Sequence, residues 1–309
     1  MKASFVLVNY NRKDELMLTL SQTKECIKHA PDDFEILVVD NASTDGSAVA
    51  VKTNFPDVVL IENKVNTGAP AWNLGFAKAK GQYFIIIDDD SHIESGLVDA
   101  LSYMDRHPDI GILALNVISG PYTSADWNLT DGQDVIGFIG CGAIFRKKVY
   151  NEIGGYADWI FLYANEWDLG FRTRSAGYRV EFFEGCKVVH RAARANRSSR
   201  RLVVLSLQHE MGIIYKYFGK NSWAHLFNIA VNSLKIIKNG KLKEIGYAVS
   251  GIIGFLRLRK SLTPTPVSAD IQKLFLNTFS GTKPAFGFVI RNMRALVKKK
   301  SGKQITVTS

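Results

Sequence analysis

The chain contains few cysteines and no long uninterrupted hydrophobic run. Its three cysteines, Cys26, Cys141 and Cys186, are widely separated along 309 residues, so we expect neither a disulfide framework nor a zinc site of short spacing. The first ten residues turn polar at Asn9, unlike a signal peptide. The longest apolar stretch, 245–256, falls short of the roughly 18 residues that span a bilayer. These absences predict a protein of the reducing cytoplasm.

Acidic residues are almost missing from the last third of the chain. Residues 200–309 hold 19 Lys and Arg against 3 Asp and Glu, whereas residues 1–199 hold 20 against 26. The net charges are therefore +16 and −6, which together give the +10 of the whole chain. This asymmetry predicts a domain over 1–199 and a basic appendage over 200–309. The appendage is expected to bind the phosphate groups of a membrane surface or of a nucleic acid.

Strand and helix patterns alternate through the first ninety residues. Strands are predicted at 5–10, 35–40, 58–63 and 83–88, with helices at 12–30, 47–55 and 70–80 between them. The strands are almost continuously apolar, which is typical of a parallel sheet covered by helices on both faces. Further on, the pattern predicts a strand at 109–118, a loop at 119–133 and a helix at 165–180. The predicted fold class is α/β.

Polar side chains follow each predicted strand of this sheet. They form four clusters: Asn9, Tyr10 and Asn11; Asp40 and Asn41; Asn63; and Asp88, Asp89 and Asp90. In open α/β sheets ligands bind in the crevice at the carboxyl ends of the strands. We therefore expect all four clusters to face one crevice.

The three consecutive aspartates admit two interpretations. Adjacent carboxylates repel each other, and a divalent cation bound by oxygen ligands removes the repulsion. Alternatively, the acids form a solvated turn before a helix, since Ser91 follows and carboxylates suit a helix start. The equivalent positions of the other polar clusters favour the cation, because a nucleotide site needs both amides and acids.

Two downstream segments carry candidate site features. Glycines at 137, 140 and 142 interrupt an apolar strand pattern in 135–156, which indicates close approach of a ligand or another backbone. Glu166 and Asp168 lie in the first turn of the helix predicted at 165–180, where carboxylates interact favourably with the helix dipole. About 200° of rotation separates the two side chains on a helix, so we expect only one to enter a site.

In this order the motifs resemble those of family 2 glycosyltransferases of the GT-A fold, of the bacterial rhamnosyl- and galactosyltransferase type. The resemblance covers about residues 3–192 and implies a nucleotide-sugar half over 1–92 and an acceptor half over 93–199. The motifs that carry it are "VNYNR" (8–12), "ILVVDNASTDGS" (36–47), "NTGAPAWNLG" (66–75), "IDDD" (87–90), "NEWDLGFRTRSAGYRV" (165–180) and "VVHR" (188–191).

The resemblance implies a role for each matching residue. Contacts to a nucleoside-diphosphate sugar, most simply a UDP- or dTDP-linked one, fall to Tyr10, Asn11, Asp40, Asn41, Asn66, Gly68, Asn73, Asp88 and Asp89. A divalent cation, Mn²⁺ or Mg²⁺, would be held by Asp88, Asp90 and His190, with Asp90 the favoured direct ligand. Glu166 falls on the position of the catalytic base.

The chain departs from the family pattern at two places. The Asn-Gly segment is one residue shorter than the commonest spacing and contains Pro70, which leaves the contact assigned to Asn73 open. Where most relatives have Glu-Asp, this chain has Asn165-Glu166. Asp168, two residues further on, is expected to form an ion pair with Arg172, four residues later on the same helix.

These residues predict a metal-dependent transfer of a sugar to a hydroxyl of a glycan or lipid-linked acceptor. The cation would stabilise charge on the departing diphosphate, and one carboxylate would accept the proton of the attacking hydroxyl. Because no second carboxylate is placed as a nucleophile, we expect a single displacement with inversion.

The basic appendage predicts several helices with apolar stripes, at 205–219, 223–242, 244–262 and 286–300. Such helices suit an anionic membrane surface, which would place the protein peripherally on the cytoplasmic face of the membrane, within reach of a lipid-linked acceptor. The alternative is a helical bundle with solvated lysines, and the oligomeric state is left open.

Three other functions fit parts of the pattern. A nucleotidyltransferase shares the acids at strand ends, but "NYNRKDE" (9–15) lacks its glycine-rich loop. A phosphatase of the haloacid-dehalogenase type would carry its aspartates after the first strand. A basic protein that binds membranes or nucleic acid without catalysis would explain the charge but not the acidic crevice, and we expect no nucleic-acid partner because no known module is present.

Overall fold

The structure, a computed structural model, describes residues 1–120, 123–191, 198–237 and 242–279. The chain divides into two compact units. The first unit comprises 1–198 and 267–274, and the second comprises 199–266 and the described residues from 275 onward. The change of unit after residue 198 lies next to the boundary expected from charge, whereas the sequence did not predict the return of 267–274 to the first unit.

The first unit contains one sheet of eight strands in the order β3-β2-β1-β4-β7-β6-β8-β5. The strands are β1 Ala3–Asn9, β2 Phe34–Asn41, β3 Val59–Asn63, β4 Tyr83–Asp88, β5 Ser91–Ser95, β6 Ile110–Val117, β7 Ala143–Arg146 and β8 Arg179–His190. The first four strands pair in parallel, as predicted. β7 runs antiparallel to both β4 and β6, and β5 runs antiparallel to β8, so the complete sheet is mixed.

Ten α-helices lie within the described residues. They are α1 Lys13–Ile27, α2 Ser47–Asn54, α3 Trp72–Phe76, α4 Leu97–Arg106, α5 Lys147–Ile153, α6 Asn165–Ser175, α7 Ser199–Tyr217, α8 Ser222–Ile237, α9 Leu242–Leu258 and α10 Ala269–Phe279. The predicted helix at 70–80 is shorter than expected, because a 3₁₀ turn at Ala69–Ala71 precedes α3. The predicted helix at 286–300 lies outside the described residues.

Both faces of the sheet are covered, as the apolar strands predicted. Side chains of a strand alternate between the two faces, and in β1 Phe5 and Leu7 join one apolar core with Leu16 and Leu20 of α1. Val6 joins the other core, which includes a cluster of phenylalanines: Phe76, Phe84, Phe138, Phe145 and Phe182. The sheet is therefore held rigidly between two apolar layers, and its carboxyl edge is fixed in position.

The pairing register aligns the polar ends of the parallel strands. Asn9 at the end of β1 lies opposite Asp40 of β2, and Asn41 of β2 lies opposite Asn63 of β3. On the other side of β1, Val8 lies opposite Asp88. The predicted gathering of polar side chains at one edge is confirmed for these four strands.

The second unit is helical in its described part. α7, α8 and α9 correspond to three of the predicted helices, although α7 begins at Ser199 rather than at residue 205. α9 packs closely on α7, since a Cβ added to Gly251 would lie 3.0 Å from the carbonyl oxygen of Val204. None of the described helices has the length and apolar character needed to cross a membrane.

Candidate active site

Two of the three aspartates at the end of β4, Asp89 and Asp90, share a cation that the chain itself provides. Arg12, three residues after the last residue of β1, places Nη1 2.8 Å from Asp89 Oδ1 and 3.2 Å from Asp90 Oδ2. Asp89 is 4% exposed and Asp90 is fully buried. The solvated-turn interpretation is therefore wrong for these two residues, and Ser91 begins a strand rather than a helix.

Burial and charge act in opposite directions on this group. Burial raises the pKa of Asp89 to about 7; the neighbouring aspartates add to the increase and Arg12 opposes it. Burial would lower the pKa of Arg12, but its attraction to Asp89 and Asp90 outweighs burial and raises that pKa. The guanidinium therefore stays charged at any pH at which the protein is folded.

Asp88 belongs to a second group on the same edge. Asp88, Cys141 and His190 each offer one ligand atom, and these atoms all lie within 4.8 Å of one another. Ser91 connects the three residues, because it lies opposite His190 in the pairing of β5 with β8. Its Oγ accepts a hydrogen bond from the backbone N–H of Asp88 at 2.8 Å and lies 3.4 Å from the carbonyl oxygen of Cys141. The side chains of Asp88, Cys141 and His190 form a candidate metal-binding triad.

His190 connects the two groups. Its Nε2 lies 3.2 Å from Asp90 Oδ1, and the sulfur of Cys141 lies within 4.8 Å of a nitrogen of its ring. Burial alone would lower the pKa of His190, but the neighbouring Cys141 and the hydrogen bond to Asp90 outweigh burial and raise it. A buried carboxylate that holds a metal-ligating imidazole in this way is a common arrangement in metal sites.

The residues assigned to the nucleotide form an ordered polar network at the ends of β2 and β3. Asp40 is 4% exposed, and its two oxygens accept hydrogen bonds from Asn9 Nδ2 at 2.9 Å and from the Ser43 N–H at 3.1 Å. Asn41 donates to Asn66 Oδ1 at 3.0 Å. Asn63 donates to Asn41 Oδ1, also at 3.0 Å. These side chains are therefore fixed by one another, and their contact with a nucleotide stays a prediction.

Tyr10 and Asn11 form the turn that leaves β1. Asn11 adopts a left-handed conformation with φ of 53°, which asparagine tolerates better than most residues. Its Oδ1 accepts a hydrogen bond from the Thr44 N–H at 2.6 Å. The Tyr10 N–H lies 3.4 Å from Asp89 Oδ2. This turn therefore joins the end of β1 to the loop after β2 and to the aspartates.

Gly68 and Asn73 hold the segment that precedes α6. Gly68 has φ of +70°, and an added Cβ would lie 2.0 Å from the carbonyl oxygen of Phe161, so no other residue fits. Asn73 donates to the carbonyl oxygen of Tyr156 at 2.7 Å and accepts from the Tyr156 N–H at 2.8 Å. The structure thus shows a positioning role for both residues, and the predicted donor contact of Asn73 would have to coexist with these bonds.

Glu166 lies in the first turn of α6 and reaches the same carboxyl edge of the sheet. The two residues Tyr163 and Ala164 just before the helix have φ of 67° and 64°, so consecutive left-handed residues turn the chain sharply into α6. Burial raises the pKa of Glu166 to about 7; the charge of Asp88 adds to the increase, and hydrogen bonds from its own backbone and from Asn165 oppose it. A Cβ added to Gly140 would lie 2.3 Å from Glu166 Oε1, and the next residue, Cys141, places its sulfur within 4.8 Å of an Asp88 oxygen. The predicted base therefore lies near the predicted metal acids.

Asp168 is confirmed as a structural partner of Arg172. The Asp168 carboxylate is 1% exposed, and its Oδ2 lies 2.8 Å from Arg172 Nε. Arg172 also donates to the carbonyl oxygens of Ile153 and Gly155. Arg172 therefore fixes α6 on the last residue of α5 and on the segment that follows it, which keeps Glu166 in place.

The sequence did not assign three residues that the structure brings to the site. Arg12 is part of the motif 8–12, yet nothing in its spacing indicated that it neutralises two aspartates. Gly140 was noted only as a point of close approach, and an added Cβ would have Glu166 Oε1 at 2.3 Å. Cys141 had no sequence signal, because its partners Asp88 and His190 lie some fifty residues away on either side.

Comparison with known proteins agrees with this geometry. Residues 4–154 match the family model described as Glycosyl transferase family 2. A poly(ribitol-phosphate) beta-glucosyltransferase of Bacillus spizizenii is 34% identical over 173 residues, which cover 49% of this chain and 26% of the relative. The chain therefore spans about a quarter of the length of this curated relative.

Two solved structures share the fold of the chain. A mannosyltransferase from Pyrobaculum calidifontis, in complex with GDP-Man and Mn²⁺, superposes with a TM-score of 0.60 at 19% identity, over 98% of this chain and 88% of the other. TarS residues 1–349 of S. aureus, in complex with UDP-GlcNAc, superposes with a TM-score of 0.59 at 15% identity, over 99% and 93%. At these identities the likeness establishes the mixed sheet with flanking helices, not the substrate.

Proposed function

The chain belongs to glycosyl transferase family 2 and has the GT-A fold, and on this premise we propose that it transfers a sugar from a nucleoside-diphosphate sugar to a hydroxyl of a glycan or lipid-linked acceptor. The observation that carries the proposal is the position of Glu166 beside Asp88. A carboxylate with a pKa of about 7 stands next to the acids at the end of β4, at the edge where α/β sheets bind ligands. Acid–base groups with such perturbed pKa values are concentrated in active sites.

The donor nucleotide is proposed to bind over the ends of β1, β2 and β3. Asp40, Asn41 and Asn66 would contact the base and ribose, with the Tyr10–Asn11 turn beside them and the backbone at Gly68 closing the pocket. The network among these residues supports this role, because preorganised polar groups lose little freedom on binding. UDP and dTDP are the proposed nucleotides, and the GDP-Man and UDP-GlcNAc of the two similar structures show that this fold accommodates more than one base.

A divalent cation, Mn²⁺ or Mg²⁺, is proposed to bind at Asp88 and His190. The Mn²⁺ of the similar mannosyltransferase supports this assignment, and so does the carboxylate of Asp88, since carboxylates suit Mn²⁺ and Mg²⁺. Asp90, which the sequence favoured as the direct ligand, is fully buried and contacts Arg12 and His190. We therefore reassign Asp90 to orienting the imidazole. When bound, the cation would stabilise the negative charge that develops on the departing diphosphate.

Glu166 is proposed to accept the proton of the acceptor hydroxyl as that oxygen attacks the anomeric carbon. Asp168 is held in its ion pair with Arg172, so it does not serve as a nucleophile for a covalent intermediate. A single displacement with inversion of configuration follows. Asp89, held by Arg12, would remain near the ribose and the diphosphate as a fixed acceptor of hydrogen bonds.

The test of this proposal combines binding and transfer. Calorimetry with UDP, dTDP and GDP, with and without Mn²⁺, identifies the nucleotide, and a panel of nucleotide sugars then identifies the donor. The variant Glu166→Gln is expected to keep nucleotide binding and lose transfer by about 100-fold or more, because it removes the base alone. Glu94→Gln, an exposed acid on β5, is the control. Transfer by Glu166→Gln at the rate of the control, or a product of retained configuration by NMR, would contradict the mechanism.

The second unit is proposed to bind an anionic membrane surface. Large apolar side chains are exposed along one side of α9, at Ile245, Val249, Ile253 and Leu256, and at the start of α8, at Trp223 and Phe227. Arg259 lies over the ring of Trp223, 5.5 Å from its centroid, which places positive charge beside this apolar surface. Apolar and basic side chains together are what an interfacial helix presents to anionic lipid.

Sedimentation of the full chain with vesicles tests this part separately. The double variant Val249→Glu/Ile253→Glu is expected to lose binding to vesicles that contain an anionic lipid. Val98→Glu, which changes a valine of the first unit that is 71% exposed, is the matched control. Equal sedimentation of the two variants would show that the exposed apolar side chains of α9 do not bind the membrane.

A further inference from the structure

Cys141 is a buried thiol that the proposed reaction does not use. It is 1% exposed and lies two residues before β7, which pairs antiparallel to β4 with Ala143 opposite Ile86. Cys141 lies in the turn that precedes β7, where the Gly142 N–H donates a hydrogen bond to the carbonyl oxygen of Ile139 at 2.9 Å. The pairing of β7 with β4 brings this turn to the end of β4, next to Asp88.

The surroundings of Cys141 fix its thiol against the two proposed metal ligands. Its sulfur lies within 4.8 Å of the ligand atoms of both Asp88 and His190. The Ser91 hydroxyl lies 3.4 Å from the Cys141 carbonyl oxygen and 2.8 Å from the Asp88 backbone nitrogen. The side chains of Asp88, His190 and Cys141 thus offer one oxygen, one nitrogen and one sulfur atom in a single cluster at this edge of the sheet.

This donor set has a definite preference among divalent cations. Mg²⁺ selects oxygen ligands and octahedral geometry, whereas a thiolate favours softer cations such as Zn²⁺, Co²⁺ and Cd²⁺. A cysteine beside a carboxylate and an imidazole therefore shifts selectivity away from Mg²⁺. The other buried cysteine of the first unit, Cys186, has no such partners among the described metal-ligating groups.

We propose that Cys141 is a third protein ligand of the cation held by Asp88 and His190, and that its sulfur makes the site select thiophilic divalent cations over Mg²⁺. The inference rests on the proposed metal site, and it goes beyond it by naming a ligand and a class of metal. It concerns the binding of the cation and can be measured without sugar transfer.

The experiment titrates the full-length protein with Co²⁺ and follows the ultraviolet charge-transfer absorption that a thiolate–cobalt bond produces. Because Cys26 and Cys186 interact with each other and could bind cobalt, the double variant Cys26→Ser/Cys186→Ser keeps Cys141 as the only thiol. This variant is expected to show the band at one equivalent of Co²⁺. The variant Cys141→Ser is expected to lack the band and to bind Co²⁺ at least about tenfold more weakly, with its Mg²⁺ affinity changed by less than about threefold.

Each outcome tests either the proposed sulfur ligand or the proposed metal site as a whole. A band in the Cys141→Ser variant, or Co²⁺ binding without a band in the variant that retains only Cys141, would overturn the sulfur ligand while leaving the cation at Asp88 and His190 intact. Failure of the unmodified protein to bind either Co²⁺ or Mg²⁺, measured by calorimetry, would instead overturn the metal site itself. The single-thiol variant decides the question even if Cys141→Ser does not fold.

Discussion

The substitution Gly140→Ala tests how closely the position of Glu166 controls the reaction. Gly140 does not adopt a positive φ, so alanine is compatible with the backbone at this position. The three heavy atoms nearest to an added Cβ all belong to the Glu166 side chain, with Oε1 at 2.3 Å. The only obstacle to the new methyl group is therefore the carboxylate that we propose as the base.

The expected loss of rate follows from the distance that the carboxylate must move. Ordinary van der Waals contact begins near 3.4 Å, so Oε1 must retreat by about 1.1 Å. A displacement of about 1 Å in a catalytic group costs on the order of 100-fold in rate, equivalent to roughly 2.7 kcal/mol in activation free energy. The side chain can rotate away, so we expect the free energy of unfolding to change by less than about 1 kcal/mol.

The assay compares kcat and the urea midpoint of Gly140→Ala with those of Gly142→Ala. An added Cβ at Gly142 has Val117 Cγ2 at 3.1 Å and Val188 Cγ2 at 3.3 Å as its nearest neighbours. The control is therefore expected to lose some stability by crowding the core and to retain kcat. A kcat for Gly140→Ala within threefold of the unmodified enzyme would refute the placement of Glu166 as the base.

Three further predictions concern α6 and its surroundings. Because the pKa of Glu166 is raised to about 7 and only the ionised form accepts a proton, kcat/KM is expected to fall about tenfold per pH unit below that value and to level off above it. Asp168→Ala leaves Arg172 without its buried partner and is expected to lower the free energy of unfolding by about 2 to 3 kcal/mol, measured by urea denaturation. Ala164→Gly removes the cost of a left-handed alanine and is expected to raise the urea midpoint, by about 1 kcal/mol in free energy.

The outcomes that would contradict these predictions are distinct. A pH profile that is flat from 5 to 8 would exclude a carboxylate with a raised pKa as the base. Asp109→Ala breaks an ion pair whose carboxylate is 55% exposed and should cost less than about 1 kcal/mol. An equal loss for Asp168→Ala would therefore show that its burial is energetically unimportant. A lower urea midpoint for Ala164→Gly would show that the left-handed conformation of Ala164 does not destabilise the fold.

The parallel part of the sheet could be predicted because its signals are local. Each of the first four strands is a short apolar run, and the polar residue that ends each run reaches the same edge once the strands pair in parallel. The predicted ion pair of Asp168 with Arg172 depended only on helical spacing, and it is confirmed. Both inferences use relations within one element or between successive elements of a repeating pattern.

The rest depended on contacts that no local pattern encodes. β7 was hidden in a glycine-containing segment, and its antiparallel pairing with β4 brings the turn that contains Cys141 to the end of β4. Arg12 reaches Asp89 and Asp90 across 77 and 78 residues of sequence. The site roles carried over from the family motifs remain predictions, and the choice between Asp88 and Asp90 as the direct ligand required the positions of Arg12 and His190.

Because Arg12 neutralises two of the aspartates, we expect the stability of the fold not to depend on the proposed cation. If the acidic cluster depended on an exchangeable ion to neutralise its charge, loss of that ion would destabilise the fold. Here the guanidinium is covalently part of the polypeptide and compensates the two most deeply enclosed acids at all times. Prolonged dialysis against a chelator is therefore expected to leave the melting temperature nearly unchanged while removing the proposed metal-dependent activity, and addition of the cation is expected to restore that activity.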